Sequence, residues 1–137
     1  MEHKDSDLER YVRAAWLATV VLAAVGWLMA CTAANGGEPV RLVANASPDS
    51  GKKLISYYGC GSCHMIPGIE DAQGTVGPPL IAFGRRVYIA GEAPNTQENL
   101  IRWIMVPQSI EPNTAMPTLG VTEGQARNIA AYLYTLR

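Results

Sequence analysis

The chain has 137 residues, 48% of them apolar, and 11 Lys or Arg against 12 Asp or Glu give a formal charge of −1. That is room for one small domain plus a hydrophobic segment, and with no basic patch and no long run of one sign it offers nothing to nucleic acid. Three cysteines, Cys31, Cys60 and Cys63, are too few for a disulfide scaffold and odd in number, so each is read at its own site.

Residues 1–13 are polar and carry Lys4, Arg10 and Arg13, and an uncharged apolar run follows from Ala14 to Ala30. As a helix these 17 residues would span about 26 Å, a little under a hydrocarbon core of about 30 Å. Arginines directly before the run predict a cytoplasmic N-terminus with the rest exported. The predicted location is the periplasmic side of a bacterial cytoplasmic membrane, anchored there. Three fates of segment 14–31 stay open. Leu28-Met29-Ala30-Cys31 resembles a lipoprotein cleavage box, which would make Cys31 a lipid anchor. The run could also persist as an uncleaved anchor helix, or be removed as a signal after Ala33 or Ala34. A helix apolar on all sides does not suit a buried element of so small a soluble domain. Residues 32–47 are rich in Ala, Asn, Gly, Pro and Ser without apolar periodicity and read as a linker.

The folded domain is predicted at residues 48–137. Ser47-Pro48 is a helix start, a cap followed by proline at the first helical position, and predicts a helix over about Pro48 to Tyr58. Thr96 opens a second helix through Glu98, Leu100, Ile101, Trp103 and Ile104, which Pro107 stops. Thr122-Glu123-Gly124-Gln125 resembles a capping box. It opens a last helix with Ile129, Ala130, Tyr132, Leu133 and Leu136 at helical spacing. No convincing pair of alternating strands is visible. Three short helices joined by long Gly- and Pro-rich loops leave a thin core. A large, flat apolar cofactor would fill the middle.

Residues 60–64 read Cys-Gly-Ser-Cys-His, the c-type haem attachment motif. Two cysteines three apart, at the end of a helix, can each form a thioether to one of two haem side groups. The adjacent histidine is then held beneath the iron as proximal ligand. A zinc site needs four ligands, and beyond this cluster the chain has only Cys31 and His3. A thioredoxin-like redox pair needs a βαβ surround that is absent.

With these residues in view, positions 51–137 resemble the class I c-type cytochrome family. The stretch GKKLISYYGCGSCH resembles its first helix and haem motif, and Gly77-Pro78-Pro79-Leu80 the loop that follows. Ala115-Met116-Pro117 resembles its distal-ligand loop, and Ala131-Tyr132-Leu133 its closing helix. The resemblance implies an all-α fold of three main helices and long loops around one haem c, held covalently through Cys60 and Cys63, here preceded by the N-terminal apolar helix. The loop from Met65 to Val76 departs from the family in its proline, glycine and acidic pair, and its geometry is open.

The sixth iron ligand decides function. Of five methionines, Met1 and Met29 lie outside the domain, Met65 adjoins His64, and Met105 falls inside a predicted helix as core filler. Met116 lies in a loop stiffened by Pro112 and Pro117, and the resemblance points to the same residue. The metal ligands expected are therefore His64 and Met116. A thioether favours ferrous iron and fills the last axial position, so no small-molecule substrate has an open site.

The resemblance implies three further residues. The Pro78 carbonyl would accept from the His64 imidazole, after Gly77. Arg85 or Arg86 would face a haem propionate, with Arg85 slightly favoured. Trp103 would pack near the distal sulfur. Gly51 and Tyr132 resemble the crossing of the first and last helices. The function expected is a one-electron carrier between membrane respiratory complexes, from a quinol-oxidising complex or dehydrogenase to a terminal haem-copper oxidase. A fixed haem c subunit of a periplasmic dehydrogenase or oxidase complex is the alternative, and a haem enzyme or gas sensor a third. From Pro39 onward there are eight Lys or Arg and seven Asp or Glu. That balance, with a tether raising local concentration, predicts docking with weak salt dependence.

Overall fold

The computed structural model describes residues 13, 15–17, 19 and 41–137. The chain divides into two units, residues 1–39 and 40–137. In the first, Arg13, Ala15, Trp16, Leu17 and Thr19 are helical. The remainder of segment 14–31, Cys31 and residues 32–40 lie outside the described residues. Among those described, no helix is long and apolar enough to cross a membrane.

The second unit holds three α-helices. Helix α1 spans Pro48–Tyr57, capped by the Ser47 hydroxyl, which accepts from the Ser50 amide at 3.2 Å. Helix α2 spans Gln97–Met105 under a Thr96 cap and gives way to a 3₁₀ turn at Pro107–Ser109. Helix α3 spans Glu123–Thr135 and carries the full Thr122/Gln125 capping box. These boundaries follow the caps and prolines because a helix end is decided by its own few residues.

Two features were not visible in the pattern. A two-residue antiparallel pair, β1 at Tyr88–Ile89 and β2 at Ala93–Pro94, closes around Ala90 and Gly91. Strands this short show no alternation to read. The Met65–Val76 loop folds back on the Cys60–Ser62 turn. The Ile66 amide donates to Ala72 O at 3.1 Å and the Gly74 amide to Gly61 O at 3.0 Å, and Ile66, Ile69 and Ala72 are buried.

Helix α3 is the spine of the core. Its Ala126, Ile129, Ala130, Tyr132, Leu133 and Tyr134 are buried along one broad face, which Leu136, just past the helix end, continues. It packs against α1, α2 and the 3₁₀ turn Phe83–Arg85. The α1–α3 crossing is tight at Gly51, where an added Cβ would lie 2.0 Å from the Asn128 carbonyl oxygen. Residues 41–47, linker-like by composition, lie against this unit. Val43 is buried, and the Ser47 amide donates to Asn128 Oδ1 at 2.8 Å. An irregular segment with a turn at Ala44 and Asn45, making isolated contacts, carries no periodic signal.

Candidate functional site

Helix α1 ends where Gly59 takes a left-handed conformation, φ 67°. The chain then tightens into the 3₁₀ turn Cys60–Ser62, with the His64 amide donating to Cys60 O at 3.0 Å. This turn sets Cys60, Cys63 and His64 on the wall of a cavity of about 620 Å³. Ile55 from α1, Leu100 and Ile104 from α2, and Ile129 and Leu133 from α3 supply its apolar lining. The size falls within the range of about 300–1,000 Å³ typical of cofactor sites.

His64 is oriented by its own loop. Its Nδ1 lies 2.8 Å from the Pro78 carbonyl oxygen. A carbonyl only accepts, so Nδ1 carries the proton and Nε2 presents its lone pair. Gly77 permits the approach, since a Cβ there would lie 2.3 Å from His64 Cε1. The Gly77 amide donates to Cys63 O at 2.8 Å, tying the loop to the motif.

Met116, Thr114, Ala115 and Pro117 line the same cavity, as does half-buried Trp103. Of the two arginines, the structure brings Arg86 to the cavity wall and leaves Arg85, the one favoured by the resemblance, exposed. The reason is the pitch of the Phe83–Arg85 turn. At three residues per turn, positions 83 and 86 share a side. The Arg86 guanidinium lies 5.4 Å from the Phe83 ring centroid and donates to the Pro79 carbonyl.

A polar network around buried Asn95 and Tyr134 fixes that wall. Asn95 Nδ2 donates to Arg86 O at 3.0 Å, and its Oδ1 accepts from the Tyr134 hydroxyl at 3.1 Å. Arg41 Nη1 donates to Asn95 O at 2.6 Å and its guanidinium lies 5.5 Å from the Tyr134 ring. Burial pushes the Tyr134 phenol up, against a smaller opposing pull from Arg41. Asn95, Tyr134 and Arg41 were not picked out in sequence. A tyrosine on the core face of a helix, whose hydroxyl needs a partner, was the available signal.

The donor set fits a haem. Burial, the largest cause, pushes the Cys60 thiol up, the opposite of the lowered thiol that a redox-exchange pair needs. Among the described residues no three His, Cys, Asp or Glu side chains converge as a metal-ion cluster. Cys60, Cys63 and His64 thus suit three separate points of one large group.

Comparison with known proteins agrees. The chain is 34% identical over 101 residues to cytochrome c oxidase subunit 2 of Alkalihalophilus pseudofirmus, covering 73% of this chain and 28% of that protein. It is 35% identical over 107 residues to the subunit of that name from Bacillus sp. strain PS3, covering 75% and 29%. A third relative of the same name, from Bacillus subtilis, is 34% identical over 68 residues, covering 48% and 19%. The chain therefore spans less than a third of the length of each of these relatives. The family model described as cytochrome c matches residues 48–137, and on that match, with the motif and the cavity it lines, the chain belongs to the cytochrome c family, whose domain implies haem-based electron transfer.

Proposed function

We propose that this domain is a one-electron carrier with haem c bound through Cys60 and Cys63 and ligated by His64 and Met116, delivering electrons to a terminal oxidase. The observation that carries the reading is the 2.8 Å contact between His64 Nδ1 and the Pro78 carbonyl, which leaves Nε2 as a ligand on the wall that also holds both motif cysteines. The haem, when bound, supplies the one-electron couple. The chain does the rest. Pro78 orients the imidazole and strengthens its donation. Met116, on the same cavity wall, would hold the iron through a neutral sulfur, which would favour the ferrous state and leave no site for a substrate. Arg86 offers a guanidinium to a propionate, and its Pro79 and Phe83 contacts pre-orient it. Trp103 lines the same cavity as Met116 and would pack against the bound group. The apolar side chains that line the cavity would keep water from the iron.

The oxidase as acceptor is drawn from the names of the relatives. A quinol-oxidising complex or dehydrogenase is the donor, on the periplasmic side of the cytoplasmic membrane, with segment 14–31 as helix or lipid anchor. A second reading has a specific support: the relatives are named as oxidase subunits, which favours a fixed haem subunit over a shuttle. Detergent extraction from membranes tests both. Intact mass should show one covalent haem and report the state of Cys31. The ferric protein should show a sulfur-to-iron charge-transfer band. A stoichiometric oxidase co-purifying with it marks the fixed subunit. A matured protein without covalent haem refutes the proposal.

A further inference from the structure

Met116 lies in a loop between Ala115 and Pro117, outside any helix or strand. Its backbone groups therefore have no ladder partners and must be held otherwise. Both are held by side chains. The Met116 amide donates to Thr114 Oγ1 at 3.2 Å, and the Met116 carbonyl accepts from Gln108 Nε2 at 2.9 Å. Gln108 is itself fixed, because its Oε1 accepts from the Thr118 hydroxyl at 2.9 Å. With both ends of the carboxamide engaged, its orientation is set.

Gln108 stands on firm ground. It sits in the 3₁₀ turn Pro107–Ser109, directly after α2, and Pro107 is among the most deeply buried side chains. The Pro107 carbonyl accepts from the Ile110 and Glu111 amides at 3.0 and 3.1 Å. The Glu111 carboxylate then accepts from the Asn113 amide at 2.8 Å, and its carbonyl from the Thr114 amide at 3.1 Å. The loop thus leaves the core at Pro107 and is returned to it at Met116.

We propose that Gln108 is a positioning residue for the distal ligand, its carboxamide clamping the Met116 carbonyl while Thr118 holds the carboxamide in register. This rests on the reading of Met116 as axial ligand. A methionine side chain has three rotatable bonds and a soft, weakly bound sulfur. Where its backbone sits decides whether that sulfur stays on the iron or yields to a competitor. Gln108 touches neither iron nor porphyrin and acts only through Met116.

The test is imidazole titration of the full-length ferric holoprotein, followed by loss of the sulfur-to-iron charge-transfer band. Gln108 and Thr118 are exposed, so their hydrogen bonds compete with water. Q108A should bind imidazole about twofold to fivefold more tightly than wild type. T118V should move the same way by less, T118S should match wild type, and Q108A/T118V should equal Q108A, since the two act in series. A merely structural role would lower the unfolding midpoint without changing this exchange. Unchanged imidazole affinity in Q108A, or additive effects in the double variant, overturns the clamp. If Q108A does not mature, T118V against T118S carries the same test, and equal affinities overturn it. A wild-type protein without the band, or M116A retaining it, sinks the ligand assignment and the clamp with it.

Discussion

Replacing Gly77 by alanine would place a methyl group 2.3 Å from His64 Cε1 and 2.7 Å from Nδ1. Neither partner can withdraw without loss. The Gly77 amide is bonded to Cys63 O at 2.8 Å, and His64 Nδ1 to Pro78 O at 2.8 Å. The imidazole must tilt out of its contact with Pro78. Overpacking costs about 1–3 kcal/mol, and losing the hydrogen bond adds about 0.5–1.5 kcal/mol. We expect G77A holoprotein to unfold with about 2–4 kcal/mol less stability in guanidinium, followed at the Soret band. The hydrogen bond also matters more to ferric than to ferrous iron, because it strengthens imidazole donation. A difference of about 0.5–1 kcal/mol between the two oxidation states raises the reduction potential by about 20–40 mV in a one-electron couple. P78A is the control. It keeps the accepting carbonyl, so its potential should stay close to wild type. A G77A protein with wild-type stability and potential would refute the claim that glycine is needed for this approach.

Three further outcomes are expected. M116A should lose the sulfur-to-iron charge-transfer band, and its ferrous form should bind carbon monoxide rapidly at neutral pH where wild type does not. Rapid binding by wild type would favour a sensor or enzyme over a carrier. R86Q should lower the reduction potential in a potentiometric titration, because a positive charge at the cavity favours the ferrous state, while R85Q should leave it unchanged. Y134F strands the Asn95 Oδ1 acceptor and should cost about 1–2 kcal/mol at neutral pH in urea unfolding. Burial raises the folded Tyr134 phenol above its unfolded value of about 10. Its contribution is therefore intact below about pH 10 and lost as pH rises through the folded pKa. Y134F should flatten part of that alkaline decline, with Tyr132, also raised by burial, accounting for the rest.

The helix ends and the haem motif were legible for the same reason. Ser47, Thr96 and Thr122 each cap an amide three residues away, and the Cys60–His64 chemistry needs its groups adjacent in the chain. Such signals are local, so they survive reading one residue at a time. The choice between Arg85 and Arg86 turned on the pitch of one short 3₁₀ turn, which no composition rule distinguishes. The Asn95–Tyr134–Arg41 network joins three distant segments, and each member read alone is an ordinary residue of its type.

By itself the amino-acid order carried the c-type haem attachment motif at Cys60–His64 and set where the three helices begin and stop. These follow from covalent adjacency and short-range hydrogen bonds. Tertiary structure alone decided which arginine reaches the cavity, how the Met65–Val76 loop folds back on the motif, and which side chains seat Met116. Those depend on groups far apart in the chain meeting within about 3 Å, and that proximity exists only once α1, α2 and α3 have packed.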